Sequence, residues 1–224
     1  MSHFEVEVKS LLGEKENADA LKDKMCTLDP DCACVSTSKQ LNHYFEGGAI
    51  EKLFEVTQHL FSDEQQQKFK KIVERGSEYS VRTRQKDYEI YLVVKASVDD
   101  GTSANTVSRM EFEELVQTSL DKLDQLVESA GFSYQAKWSR EREEYSYKDM
   151  NVCFDRNAGY GYLAEFEKIV GDETLVADAK SAIKDCMSEL SIEELSQDRL
   201  ARMFEHYNQN WQQYYGTDKT FVIE

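Results

Sequence analysis

Eight segments of the chain alternate between apolar and polar residues, which is the pattern of β-strands with one covered face. They span residues 3–12, 38–46, 77–85, 88–96, 105–114, 134–147, 150–156 and 160–170. Tight turns are predicted at Lys86–Asp87, Lys148–Asp149 and Asn157–Gly159, each between neighbouring strands. The pattern therefore predicts an antiparallel sheet of eight strands, and eight strands also close into a small barrel with room for one ligand.

Amphipathic helical patterns lie between some of the strands and after the last one. They cover residues 14–26, 49–75, 116–130, 172–190 and 200–211. Ser62 with Gln65 and Ser191 with Glu194 match the capping box, so we predict that helices begin at these two serines. The simplest interpretation is an α+β domain over residues 1–190, with a helical insertion at 49–75. Residues 191–224 would form a helical extension packed on the same domain.

Charged residues recur on one face of the predicted strands. In the first strand, Glu5, Glu7 and Lys9 share one face, and the opposite face is apolar. Other strands repeat this arrangement with Arg82 and Arg84; Arg109, Glu111 and Glu113; Arg140 and Arg142; Asp155; and Glu165 and Glu167. Because amphipathic helices need an apolar surface to pack on, we expect them to cover the apolar face. The charged face would then line the interior of a closed barrel.

A closed lumen with this many charges is costly unless the charges pair or hold a charged ligand. Carboxylates bind Mg²⁺ or Mn²⁺ through their oxygens. Guanidinium groups bind phosphate oxygens through two parallel hydrogen bonds. Acidic and basic residues in comparable numbers therefore indicate a site for a complex of polyphosphate with divalent cations.

The composition narrows the class of partner. The formal net charge is −16, which argues against an extended nucleic-acid surface or an anionic membrane, because both need a basic face. No apolar stretch approaches the roughly 20 residues of a membrane span, and the first residues lack the pattern of a signal peptide. We therefore expect a cytoplasmic protein with a small-molecule substrate, and the sequence leaves the oligomeric state open.

The five cysteines have no pattern of structural disulfides, so we expect reduced thiols. Cys26, Cys32 and Cys34 lie close together, and His43 follows not far beyond. Their spacing matches no standard pair of zinc-binding cysteines. Two interpretations stay open at this point: a metal site, or a loop in which the cysteines have no joint role.

Several short motifs occur in a fixed order along the chain. They are Glu5-Val-Glu7-Val-Lys9, the strand from Gln40 to Phe45, Arg82-Thr-Arg84, Lys95, Arg109-Met-Glu111-Phe-Glu113, Arg140-Glu-Arg142 with Tyr145, Asp155, and Gly161 followed by Glu165-Phe-Glu167. This ordered set resembles the CYTH, or triphosphate tunnel metalloenzyme, superfamily. The resemblance runs from residue 3 to about 170 and into the helix at 172–190. The insertion at 49–75 and the extension at 191–224 depart from the compact pattern of that superfamily.

The resemblance implies a metal-dependent triphosphatase with a division of labour among the charged residues. The phosphates would be bound by Lys9, Arg82, Arg84, Lys95, Arg109, Arg140 and Arg142. One or two Mg²⁺ or Mn²⁺ ions would be held by Glu5, Glu7, Glu111, Glu113, Asp155, Glu165 and Glu167. The residues implied in catalysis are Glu5, Glu7, Lys9, Glu165 and Glu167.

Three functions are consistent with this resemblance. The first is hydrolysis of a triphosphate, namely inorganic tripolyphosphate, thiamine triphosphate, or a nucleoside or RNA 5′-triphosphate. The second is an adenylyl cyclase of the class IV type, and the intact Glu165-Phe-Glu167 motif favours hydrolysis over it. The third is a polyphosphate-binding module without catalysis, against which the full set of ligands argues.

Overall fold

The computed structural model describes residues 4–98 and 108–223. Within these residues the strands are β1 (Phe4–Gly13), β2 (Ala33–Gly47), β3 (Ser77–Lys86), β4 (Glu89–Val98), β5 (Ser108–Val116), β6 (Phe132–Tyr147), β7 (Met150–Asn157) and β8 (Gly161–Val170). All eight predicted strands are therefore present, because the alternation of apolar and polar residues in each of them reflects one covered face. The start of the fifth predicted segment, 105–107, lies outside the described residues.

The helices of the described residues are α1 (Lys15–Leu28), α2 (Ile50–Thr57), α3 (Asp63–Arg75), α4 (Leu120–Ser129), α5 (Val176–Leu190) and α6 (Gln197–Asn210). Short 3-10 turns follow α2, precede α5 and follow α6. Each predicted helical region thus contains helix, and the region 49–75 contains two. None of these helices has both the length and the apolar character that crossing a membrane would require.

The two predicted capping boxes have different outcomes. Ser62 caps α3 as predicted, since its hydroxyl accepts from the backbone N–H of Gln65, whose side chain accepts from the N–H of Ser62. The prediction at Ser191 is wrong, because Ser191 ends α5 in a left-handed conformation with φ +58°. The helix that follows begins after Ser196, whose hydroxyl accepts from the N–H of Arg199 at 3.3 Å.

The strands form an antiparallel sheet in the order β1-β8-β7-β6-β2-β3-β4-β5. Two-residue loops join β3 to β4 and β6 to β7, and Asp87 and Lys148 adopt the positive φ that such loops favour. The order begins at β1 and ends at β5, so the hydrogen bonds of the described residues do not close the sheet. The α+β sheet is therefore confirmed, and the closed barrel is not.

The chain divides into two compact units, of which the first contains the residues up to Lys39 and those from Ser139 onward. Its core lies between the apolar face of β1, β7 and β8 and the helices α1 and α5. The buried residues of this core include Val8, Val152, Phe154, Phe166, Leu21, Met25, Ile183 and Met187. As predicted from the amphipathic patterns, helices cover the apolar face of these strands.

The second unit, Gln40–Trp138, has a separate core. The helices α2, α3 and α4 pack on the apolar face of β2 to β5. The buried residues of this core include Phe45, Val81, Leu92, Val94, Phe112, Leu53, Phe69, Leu123 and Val127. Residues 49–75, which the sequence marked as an insertion, thus contribute α2 and α3 to the covering layer of this unit.

The extension after α5 packs against the turn between β7 and β8. Gly159 donates its N–H to the carbonyl of Lys219 at 2.9 Å and accepts from the N–H of Phe221 at 2.7 Å. Its φ is +88°, and a Cβ atom there would lie 2.7 Å from the ring of Tyr207. Only glycine fits this position without displacing the extension, so the turn and the C-terminal segment are matched to one another.

Candidate functional site

Four neighbouring strands of the first unit present charged side chains on one face. Paired residues of antiparallel strands point to the same side of a sheet. The register pairs Lys9 with Glu165, Glu7 with Glu167, and Arg142 with Asp155. We call this surface the first polar face; it consists of Glu7, Lys9, Arg140, Arg142, Asp155, Glu165 and Glu167. A shift of one residue would turn the apolar side chains of the same strands away from their core, so the core fixes this register.

Asp155 is the most buried residue of the first polar face, with 1% of its surface exposed. Its Oδ1 accepts from Arg142 Nε at 2.6 Å, and its Oδ2 accepts from Arg142 Nη2 at 2.6 Å. Arg140 Nη1 donates to the same Oδ2 at 2.9 Å. Both oxygens of Asp155 therefore bind guanidinium groups, and the carboxylate fixes the direction of two arginines at once.

Glu165 links Arg142 to Lys9. Arg142 Nη2 donates to Glu165 Oε2 at 2.5 Å, and Lys9 Nζ lies 3.5 Å from Glu165 Oε1. Lys9 also donates to Glu7 at 2.5 Å. Burial raises the pKa of Glu165, but Arg142, Lys9 and Arg140 outweigh burial and hold this pKa below its ordinary value. Glu165 is therefore ionised at neutral pH.

The pKa values of the two basic partners move in the complementary direction. Burial lowers the pKa of Lys9, yet the attraction of Glu165 and Glu7 gives a net rise. Burial also works against the charged form of Arg142, and the hydrogen bonds and charge of Asp155 raise its pKa above the ordinary value. Lys9, Arg142 and Glu165 are therefore all charged at neutral pH.

The second unit has its own polar surface on β2 to β5, which we call the second polar face. Arg84 Nε donates to Asn42 at 2.8 Å, and Arg84 Nη1 donates to Glu113 at 2.5 Å. Lys95 Nζ lies 3.1 Å from Glu111. The surface consists of Asn42, Tyr44, Arg82, Arg84, Lys95, Glu111 and Glu113, which the ladders β2–β3, β3–β4 and β4–β5 bring together.

Arg82 is held on the second polar face, and its buried Nε–H has no hydrogen-bond acceptor there. Its Nη1 donates to the hydroxyl of Tyr44 at 2.8 Å, and its guanidinium lies over the Tyr44 ring at 5.5 Å. Its Nη2 lies 4.0 Å from Glu111. The Nε–H is buried and has no acceptor among the described residues. A buried donor without an acceptor is costly, so the arrangement favours an acceptor that is supplied by a ligand.

Two predicted site residues have side chains outside the described part of the chain. Glu5 pairs with Ile169 through the β1–β8 ladder, and Arg109 pairs with Ser97 through the β4–β5 ladder. Their backbone positions place Glu5 in line with Glu7 and Lys9, and Arg109 in line with Glu111. Their roles in binding metal and phosphate stay predictions.

The first polar face has the oxygen donors that Mg²⁺ and Mn²⁺ prefer. Glu7 and Glu167 are direct cross-strand partners, a position in which like charges repel unless a cation compensates them. In residues 4–98 and 108–223, no group of three or more His, Cys, Asp or Glu side chains is arranged to hold a metal ion. Instead, Glu7 forms an ion pair with Lys9, and Glu165 forms one with Arg142. The donors thus fit a divalent cation in their chemistry, and part of the set is engaged in ion pairs.

A buried hydrogen-bond network behind the second polar face was missed by the sequence analysis. Asp124 of α4 is 2% exposed. It accepts from His43 Nδ1 at 2.7 Å, from Thr83 Oγ1 at 2.6 Å and from Tyr134 OH at 2.8 Å. Burial raises the pKa of Asp124, but the hydrogen bonds from His43 and Thr83 outweigh it, so this pKa lies below its ordinary value.

The network supports the strand that carries two of the predicted phosphate-binding residues. Thr83 lies between Arg82 and Arg84 on β3, and its side chain points to the covered face of that strand. Asp124 therefore anchors β3 from behind. The signal was present in the sequence, because Asp124 interrupts the apolar stripe of α4 at a position where a charge needs partners.

Comparisons with known proteins identify the family of this arrangement. The CYTH domain family matches residues 3–201. Two proteins of Pyrococcus horikoshii have similar structures: one has a TM-score of 0.58, 19% identity and coverage of 91% of this chain and 99% of that chain. The other has a TM-score of 0.57, 19% identity and coverage of 85% and 92%.

A protein of Vibrio parahaemolyticus, described as a "putative adenylate cyclase", is also similar, with a TM-score of 0.56, 15% identity and coverage of 92% of this chain and 99% of that chain. At these identities the likeness shows the fold alone. No curated protein sequence matches this chain.

Asp155→Ala tests the role of the buried carboxylate. The substitution removes the acceptor that Arg140 and Arg142 share, so we expect the free energy of unfolding to fall by about 3 kcal/mol, the lower end for breaking a buried pair. The matched control is Asp218→Ala, since Asp218 is 85% exposed where it pairs with Arg156; there we expect a loss below about 1 kcal/mol. Urea unfolding followed by circular dichroism measures both. Equal losses would show that the burial of Asp155 has no energetic consequence.

Asp124→Asn tests the network behind β3 through its dependence on pH. The charge-assisted hydrogen bonds of Asp124 should contribute about 1.5–3 kcal/mol at pH 7. Because its pKa is lower in the folded than in the unfolded protein, this contribution is present above pH 3.8 and is lost as the pH falls further. The gap in unfolding free energy between wild type and variant should therefore narrow below pH 3.8. Glu128→Gln, an exposed amide substitution on the same helix, should change stability by less than about 0.5 kcal/mol; a gap for Asp124→Asn that does not change with pH would contradict this assignment.

Proposed function

Because the chain belongs to the CYTH domain family, we propose that it is a divalent-metal-dependent enzyme that hydrolyses a triphosphate. The substrate is inorganic tripolyphosphate, thiamine triphosphate, or a nucleoside or RNA 5′-triphosphate. The observation that carries the proposal is the first polar face, where Arg140, Arg142 and Lys9 are interleaved with Asp155 and Glu165. The closed barrel that the family resemblance implies is part of the proposal.

In this proposal the guanidinium and ammonium groups bind the phosphate oxygens. Arg140 and Arg142 are oriented by Asp155, so their guanidinium groups are positioned before a ligand arrives. The buried Nε–H of Arg82 requires an acceptor, and a phosphate oxygen provides one. Lys9, Arg84 and Lys95 complete the set, together with Arg109. Ion pairs with Glu165, Glu113 and Glu111 hold Lys9, Arg84 and Lys95 in place before the substrate arrives.

Glu5, Glu7, Glu165 and Glu167 are the carboxylates that would hold one or two Mg²⁺ or Mn²⁺ ions. Glu111 and Glu113 could serve as further ligands after exchange of their basic partners. Asp155 was also predicted as a metal ligand, but its two engaged oxygens favour a role in positioning the arginines. When bound, the metal supplies Lewis-acid stabilisation of the charge that develops on the transferred phosphoryl group.

The chain's own residues supply positioning and charge in the reaction. A water oxygen attacks the terminal phosphorus and loses a proton to solvent. The bond from that phosphorus to the bridging oxygen breaks, and the leaving diphosphate keeps the electron pair. Arg142 and Lys9 carry full positive charge and stabilise the phosphoryl oxygens as negative charge shifts during transfer. Glu165 is ionised at neutral pH and therefore acts as a ligand rather than as a proton donor.

A class IV adenylyl cyclase is the second candidate. In that reaction the ribose 3′-hydroxyl attacks the α-phosphorus, and pyrophosphate leaves. The solved structure described as a "putative adenylate cyclase" bears on this candidate only through its fold, because its identity to this chain is 15%. The intact pair Glu165 and Glu167 on β8 supports hydrolysis instead.

A panel of substrates distinguishes the candidate functions. We expect phosphate release from at least one of tripolyphosphate, thiamine triphosphate and ATP in the presence of Mg²⁺ or Mn²⁺, and none in the presence of a chelator. Formation of cyclic AMP and pyrophosphate from ATP would identify a cyclase. Tight binding of tripolyphosphate by calorimetry, with no turnover in either ion, would identify a binding module and would overturn the enzymatic proposal.

Glu165→Gln tests the carboxylate set at constant shape. The amide removes one negative charge next to Lys9 and Arg142 and is a poor ligand for hard cations. We expect kcat/KM to fall by roughly 10²–10³-fold, the size of the loss when one electrostatic group is removed. Glu189→Gln, at an exposed position on α5 that contacts Lys148, should retain wild-type turnover. If Glu165→Gln keeps its urea transition and also keeps normal kinetics, Glu165 does not belong to the reacting site.

A further inference from the structure

Two cysteine thiols lie against one another in the first unit, and neither belongs to the first polar face. Cys26 is in the last turn of α1, and Cys32 directly precedes β2. The Sγ atoms are 3.3 Å apart, within the range of a thiol–thiol hydrogen bond. Cys26 is exposed and Cys32 is partly exposed, so reagents in solution can reach the pair.

The intervening loop holds the two thiols in place through its backbone. The N–H of Asp29 donates to the carbonyl of Met25 at 2.9 Å, and the N–H of Cys32 donates to the carbonyl of Asp29 at 3.0 Å. The side chain of Asp29 also accepts from the backbone N–H of Lys148 at 2.7 Å. Because Met25 is fully buried in the core, the end of α1 is a fixed point from which the loop returns Cys32 to Cys26.

The structure does not support a zinc site here. His43, the nearest histidine in the sequence, bonds to Asp124 in the core of the second unit. Cys34 Sγ instead lies 3.5 Å from the carbonyl oxygen of Ser36. Across the described ranges there is no group of three ligating side chains around a metal position. What remains at this loop is a pair of thiols, Cys26 and Cys32, in close contact.

We propose that Cys26 and Cys32 are a reversible thiol–disulfide modification site that reacts with low-molecular-weight disulfides. Two thiols that are held in contact by a folded loop need little movement to come within bonding distance. An intramolecular reaction between held groups also proceeds at a high effective concentration. The pair therefore converts to an internal disulfide in preference to a stable mixed disulfide.

The exchange proceeds in two balanced steps. The Cys26 thiol loses its proton to solvent, and its thiolate attacks one sulfur of a small disulfide, breaking that bond and releasing one small thiolate. Cys32 then loses its proton and attacks the sulfur of Cys26, which expels the second small thiolate. The protein loses two electrons and two protons, and the small disulfide becomes two thiols.

The order of these steps follows from the surroundings of the two sulfurs. Burial and the neighbouring thiol of Cys26 raise the pKa of Cys32 to about 12. Cys32 is therefore a poor first nucleophile at neutral pH. Cys26 is the exposed sulfur, and Cys32 resolves the mixed disulfide that forms on it.

Oxidation with glutathione disulfide, followed by denaturation and alkylation, tests the proposal on the full chain. The wild type has five cysteines, and we expect the count of free thiols to fall from five to three. Peptide mapping should show a reducible link between the peptides of Cys26 and Cys32, with no glutathione retained. Cys32→Ser should instead accumulate one glutathione on Cys26, because the resolving thiol is missing.

Cys34→Ser is the matched control, since Cys34 is the third cysteine of the same segment and is exposed. We expect this variant to form the same Cys26–Cys32 link as the wild type. A link that includes Cys34, a stable glutathione adduct on the wild-type protein, or a count that stays at five would each overturn the proposal. The mapping of the wild type decides the matter even if a serine variant fails to fold.

Discussion

The first polar face depends on one buried carboxylate. Asp155 is nearly inaccessible to solvent, and it accepts three hydrogen bonds from Arg140 and Arg142. Without it, two guanidinium groups would repel one another in a part-buried position. With it, the repulsion between them is offset, and both groups are held in fixed directions. The proposed function needs positive charge clustered in place before a polyphosphate arrives, and Asp155 lets two arginines lie close together within the fold.

Because side chains along a strand alternate between its two faces, the charged residues of neighbouring strands form one continuous surface. On β1, β7 and β8, alternate residues enter the core under α1 and α5, while the residues between them join the first polar face. The second unit repeats the principle with α2, α3 and α4 behind its polar strands. Core packing therefore sets the register, and the register determines which charges meet. Core packing thus brings the charged side chains together without any contribution from ligand binding.

The sequence predicted the features that depend on a local residue pattern. It did not predict those that depend on contacts with other parts of the chain. Alternation predicted all eight strands, and helical periodicity predicted the helices, because burial of one face is recorded in neighbouring residues. The capping box at Ser191 failed since a four-residue motif cannot show that Ser191 ends α5 in a left-handed turn. Asp124 interrupts the apolar stripe of α4, but its partners His43 and Thr83 lie 81 and 41 residues away, so only the folded chain identifies them.

The ion pairs of the first polar face also link the binding of metal to that of substrate, if the proposed function holds. A phosphate oxygen that takes an N–H of Arg142 weakens the bond of that arginine to Glu165, which is the tightest contact of this carboxylate. Glu165 is then a partly buried anion that has lost a partner, a costly state. A divalent cation next to Glu165 supplies the positive charge that this carboxylate has lost. The same cation also neutralises negative charge on the polyphosphate. Each ligand therefore removes the electrostatic penalty that the other creates, and by linkage their affinities rise together.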